Sequence, residues 1–331
     1  MPGWGLLLWL VLSVAFTALD LAGVAEGLAL TVPLIVAAVA AHAVGRASWG
    51  RNHLTGVALA VAAVCAAGAA ATWALALEPF GLDPFETVVA SLAAAALAAV
   101  LAPARLRAAW LRPLGLDPAC PVHAVAAATM VLTALSAAVL FVQLQEEPSA
   151  SVPFHPTEPL VAVVSDVALA LAGVGFLVTR DVAVTLARLD LRPLRPPQVG
   201  YAALTALALN VAVAVMEWAE SLVLPGVHAL EDRFEFELVG IPPVAGAALV
   251  SLSAGVGEEV LFRGALQPRV GIAVSAALFA VLHVQYQIPG ILMIFAVGAA
   301  LGLVKRRTST TFTIVVHVVY DLVAFLAHAW T

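Results

Sequence analysis

Apolar runs recur along the whole chain, and each is long enough to cross the roughly 30 Å hydrocarbon layer of a bilayer as a helix. About eleven are legible, near 4–19, 28–44, 54–77, 87–104, 122–144, 160–179, 200–224, 243–264, 271–287, 288–304 and 311–329. Alanine and leucine dominate them and none alternates apolar with polar, so they predict helices and not barrel strands. The fold class expected is all-α, a polytopic transmembrane helical bundle.

The polar connections give the bundle a direction. Basic residues gather in every second connection: Arg46 and Arg51; Arg105, Arg107 and Arg112; Arg180, Arg188, Arg192 and Arg195; Arg263 and Arg269; Lys305, Arg306 and Arg307. The alternate connections are neutral or acidic, among them Glu78, Asp83 and Glu86, then Glu146, Glu147 and Glu158, then the stretch EDRFEFE at 231–237. With basic loops held inside, the N-terminus is expected in the cytoplasm and the C-terminus outside. The opening MPGWGLLLWLVLS has no basic lead and no small-residue cleavage site, so it reads as a retained first span.

Composition agrees with a chain whose solvent is lipid. Hydrophobic residues make up 63% and charged residues 11%, against roughly a quarter charged in a soluble domain. The net charge of −6 is spread over loops, which excludes a nucleic-acid partner. Cys65 falls in a span and Cys120 in a connection, so no disulfide is expected.

The ionisable groups left within spans become the informative ones, because an unpaired charge there costs several kcal/mol. They crowd the C-terminal third in three islands: Glu258, Glu259 and Arg263; Phe279 and His283; His317 and Asp321. On a helix, residues four apart stack while neighbours turn away by about 100°. Glu259 therefore stacks with Arg263, and Glu258 gains no partner from its own helix. Gly255 and Gly257 flank it and let another helix or a substrate approach. His317 and Asp321 share a face. Each island has a bland reading as helix-packing contacts. Together, a Glu, two His and an Asp in a dry site can activate a water and stabilise an oxyanion, by acid–base chemistry or with a metal. The chain has no HExxH, which sets aside a zincin helix.

E-E-x-x-x-R, F-x-x-x-H and H-x-x-x-[N/D], in that order on successive helices, resemble the CPBP family, the intramembrane proteases that include type II CAAX prenyl endopeptidases and bacterial Abi proteins. The resemblance covers roughly residues 240–329. It implies that Glu258 and His283 bind and deprotonate the attacking water, that His317 and Asp321 line the oxyanion site, and that Arg263 holds Glu259. Where the family also allows asparagine, this chain has Asp321, which donates a hydrogen bond only when protonated. Either burial keeps Asp321 neutral, or it orients His317 through its ring N–H and leaves the oxyanion to His317; the second, which needs no shifted pKa, is favoured. The resemblance leaves two cofactor readings: a metal-free glutamate base, which is favoured, or a zinc ion on Glu258, His283 and His317.

The expected organisation is then 1–225, N-terminal transmembrane helices of unassigned role, and 240–329, the protease core. The expected partners are a peptide or membrane-protein substrate and the lipid bilayer, with the protein in a prokaryotic plasma membrane. Two other classes compete, a proton-coupled transporter and a catalytically silent scaffold or immunity protein of the same fold. Asp166, Glu217 and Glu220 are further intramembrane acids without an assigned role, His42 being a distant possible partner for Asp166. Gly298 and Gly302 form a GxxxG pair read as packing within the bundle.

Overall fold

The computed structural model describes residues 2–24, 31–46, 96, 103–146, 155–231 and 241–328. The expected span 54–77, nearly all of 87–104, and the acidic residues 232–237 lie outside the described residues. Among the described residues the chain is helical and has no strand, only an isolated bridge between Phe176 and Arg180. In chain order the helices are α1 (Pro2–Leu21), α2 (Val32–Arg46), α3 (Ala104–Leu111), α4 (Pro121–Glu146), α5 (Thr157–Val174) and α6 (Val182–Arg188). Then come α7 (Pro196–Val223), α8 (Pro225–Glu231), α9 (Pro243–Glu258), α10 (Gln267–Val281), α11 (Ile288–Arg307) and α12 (Thr310–His328).

Among the described residues, five helical stretches are long and apolar enough to cross a membrane: Thr157–Val174, Pro196–Val223, Pro243–Val281, Ile288–Arg307 and Thr310–Ala327. Shorter apolar helices run over Trp4–Asp20, Val32–Gly45 and Pro121–Leu135. The third stretch corrects a boundary. Two spans with a basic loop between them were expected over 243–264 and 271–287. Instead α9 passes without a loop through a π-helical turn, Glu259–Leu266, into α10. The reversal is confined to Gly271, whose φ of +81° is a conformation that a side chain would strain. Arg263, counted among the loop arginines, is 1% exposed inside this turn.

Helix α9 packs against α12 on one side and α5 on the other; α10 lies along α11, and α7 along α12. Small residues set the spacing. A Cβ on Gly255 would come within 2.5 Å of the Val318 Cγ2 and 2.9 Å of the Val318 backbone N. One on Gly257 would meet Val163 Cα at 3.1 Å. The glycines beside Glu258 thus serve two helix–helix contacts. The GxxxG pair also packs internally, Gly298 against Phe279 and Ala276, Gly302 against Gln267 and Ile272.

Charge separates to opposite ends of the bundle. At one end Asp190 meets Arg192 at 3.1 Å and Lys305 at 3.8 Å, and Arg192 N donates to Thr311 Oγ1 at 3.0 Å. At the other, Glu220 lies 3.5 Å from His228, and Glu231 Oε1 accepts from Gln287 N at 2.9 Å and Gly290 N at 3.2 Å. The basic connections after α5 and α11 therefore share one end, as the alternation along the chain requires.

Candidate active site

The π turn delivers the two glutamates into different surroundings. Its wider register shows at its close, where Gln267 N donates to Phe262 O, five residues back. Glu259 is fully buried, with Arg263 Nη1 3.2 Å from its Oε1. Arg263 in turn lies 4.4 Å from the Phe279 ring centre and donates to Gly298 O at 3.4 Å. An ion pair out of water persists only when each member has close partners, and this one is held on several sides. Glu258, one residue earlier, keeps 23% of its side chain accessible, while its Oε2 makes no hydrogen bond. The division expected from helical spacing is the one the structure contains.

His317 joins the islands. Its Nδ1 donates to Glu259 Oε1 at 3.0 Å, and its Nε2 lies 3.8 Å from Glu258 Oε2 and 3.5 Å from Asp321 Oδ2. Glu259 engages Nδ1, and Asp321, one helical turn along α12, faces Nε2, the same nitrogen as Glu258. His283 is just beyond the end of α10, not midway along a span. Its Nδ1 donates to Phe279 O at 2.9 Å, which leaves Nε2 as the acceptor in the neutral ring. Phe279 is the common wall: His283 lies 4.8 Å from it, Phe262 5.5 Å and His317 6.0 Å, centre to centre. All six candidate residues, Glu258, Glu259, Arg263, His283, His317 and Asp321, thus belong to one neighbourhood.

The remaining candidates divide. Asp166 of α5 reaches the same neighbourhood, its Oδ2 3.0 Å from where a Gly257 Cβ would sit. His42 does not join it, since its ring bonds Gly173 O at 2.9 Å and Thr179 Oγ1 at 3.3 Å. Glu220 is at the acidic end beside His228, a helix length from the basic end, and Glu217 is one turn below it. Among the described residues no three His, Cys, Asp or Glu side chains are grouped closely enough to hold a metal.

Two supporting groups escaped the sequence reading. Glu231 fastens the start of α11, and with it the connection that carries His283. Arg188 donates from Nη1 to Gly264 O at 2.9 Å and from Nη2 to Ala265 O at 3.0 Å, inside the π turn. Pro268 is the one local signal for the second contact: in an α-helix Gly264 O would accept from residue 268, and proline has no N–H to give.

Comparison with known proteins bears on this same segment. Residues 240–323 match the family model described as type II CAAX prenyl endopeptidase Rce1-like. This segment is similar to that family. The match takes in α9, the π turn, α10, α11 and α12 as far as Asp321, and so all six site residues. The chain is also similar to the uncharacterized protein YpbD of Bacillus subtilis (strain 168), with 29% identity over 161 residues, 46% of this chain and 80% of that protein. No solved structure matches.

Proposed function

We propose that this chain is an intramembrane endopeptidase that hydrolyses a peptide bond with a water activated by Glu258 and His283. The observation that carries the reading is the unequal pair of glutamates around His317, one sealed against Arg263 and the other partly accessible. The match to an endopeptidase family over the same residues supports it.

A water held between Glu258 and His283 Nε2 gives a proton to Glu258, and its oxygen attacks the substrate carbonyl carbon. The carbonyl π electrons move onto oxygen, and His317, protonated on both ring nitrogens between the carboxylates that face it, donates to that oxyanion from Nε2. Glu258 then passes its proton to the leaving amine as the C–N bond breaks. Glu259 fixes the imidazole from Nδ1, and Asp321 flanks Nε2. The substrate is a peptide or a membrane-protein segment, and the family name makes a prenylated C-terminal peptide the first to try.

The test compares wild type with Glu258→Gln, purified in lipid, on a panel of prenylated and unprenylated quenched peptides, alongside mapping of new N-termini in membranes expressing each form. The expected result is cleavage by wild type and none by a folded Glu258→Gln protein. Equal cleavage by both forms sinks the reading. A phenotype that survives Glu258→Gln identifies a scaffold, and proton-coupled uptake into liposomes identifies a transporter.

A further inference from the structure

The π turn that carries the buried ion pair is gripped from outside the Rce1-like segment. The hydrogen-bond ladder here is irregular: Pro268 has no N–H, the π register displaces the ladder by one residue, and Gly271 breaks the helix three residues beyond Pro268. Gly264 O and Ala265 O are both supplied by one side chain, Arg188, at 2.9 and 3.0 Å. A guanidinium presents two parallel N–H groups in a rigid fork and so fits two successive carbonyls; an ammonium is a single point charge.

The seat is close on both sides. A Cβ on Gly264 would come within 3.2 Å of Leu189 O and 3.3 Å of Leu189 Cδ2, so the end of α6 rests directly on the turn. Asp181 caps the start of α6, its Oδ1 accepting from Val184 N at 2.8 Å. No carboxylate pairs with Arg188 among the described residues. Burial, then the like charges of Arg269 and Arg180, push its guanidinium down to about 10, so it stays charged at neutral pH. A partly buried arginine without a counter-ion is held there by its carbonyls.

We infer that Arg188 is a positioning residue: by clamping Gly264 O and Ala265 O it fixes the π turn, and so sets Arg263 on Glu259 and Glu259 on His317 Nδ1. The inference rests on the endopeptidase reading for its effect on rate, but not for its effect on geometry. The path is short. Gly264 follows Arg263 directly, Arg263 is 3.2 Å from Glu259, and Glu259 is 3.0 Å from His317. The connection between α5 and α7, outside the catalytic helices, thus becomes part of the catalytic apparatus.

The experiment uses the full chain in lipid nanodiscs, as wild type, Arg188→Gln and Arg188→Lys, with ¹⁵N-labelled histidine. The His317 Nδ1 resonance is assigned by its loss in His317→Gln. Both Arg188 variants are expected to shift that resonance. With a quenched peptide that wild type cleaves, both are expected to lower kcat by about 10- to 100-fold with KM within about twofold. Arg188→Lys keeps the charge and not the fork, so full rescue by lysine overturns the inference, as does an unmoved His317 resonance. A variant that loses thermal stability yet keeps the wild-type kcat and resonance in its folded fraction marks a merely structural clip, and also overturns it. If Arg188→Gln does not fold, Arg188→Lys carries the test alone. Should Glu258→Gln retain full cleavage, the endopeptidase reading fails, while the His317 resonance still decides whether Arg188 positions the ring.

Discussion

Glu258 and Glu259 differ by one position and by almost everything else. Glu259 has no exposed surface and two charged neighbours, Arg263 and His317. Glutamine there leaves Arg263 buried without its counter-ion, and breaking such a pair costs about 3–5 kcal/mol. Glu259→Gln is therefore expected to lower the melting temperature in detergent sharply, whereas Glu258→Gln leaves it near wild type and removes activity. Half of this contrast was legible in the sequence, since spacing of four places Arg263 on Glu259 and not on Glu258. The bond to His317 was not, because its partners are 58 residues apart and only tertiary packing joins them. A second residue-scale prediction concerns Glu231, outside the spans. Burial first, and then Glu220, raise its carboxyl above the usual glutamate value. The folded state therefore binds that proton more tightly than the unfolded chain. Stability is fullest below the ordinary glutamate pKa and declines as pH rises from there through the raised value. A thermal-melt series across that window should show the decline in wild type and a weaker one in Glu231→Gln.

Among the elements, helix existence was easy to read and helix continuity was not. Long apolar runs announce α5, α7, α11 and α12. Nothing in a run of arginines at 263 and 269 distinguishes a loop from a π turn followed by a glycine reversal. Arg263 looked like a cytoplasmic anchor and is among the most buried side chains of the described residues, with Glu259 3.2 Å from its Nη1, Gly298 O accepting from Nη2 and Phe279 against its flat face. Glycines were legible as close approaches without revealing what approaches. At Gly255 it is the backbone of α12 itself, so an added methyl cannot be relieved by a side-chain rotation. Gly255→Ala is expected to cost about 1–3 kcal/mol as overpacking and to shift α12, which carries His317 and Asp321. A drop in melting temperature together with reduced cleavage would report both effects, and an unchanged protein would show that α9 and α12 are less tightly opposed.

For the molecule as a whole, separation of charge makes a claim about sidedness. Arg192, Asp190 and Lys305 are knit together at one end, and Glu220, His228 and Glu231 gather at the other. With the basic end inside, single cysteines placed at Arg306 and at Ser221, in a background of Cys65→Ser and Cys120→Ser, should label from opposite sides of intact cells. Ser221 is expected to react with an impermeant maleimide added outside, and Arg306 only after permeabilisation; the reverse pattern would invert the topology. The continuity of α9, the π turn and α10 has one further practical consequence. An epitope or reporter inserted between residues 264 and 270, where hydropathy invites one, would interrupt the wall that carries Glu259 and Arg263 and pry loose the grip of Arg188. Topology surveys that rely on such insertions would record a disrupted protein there and mistake a broken hinge for an inaccessible loop.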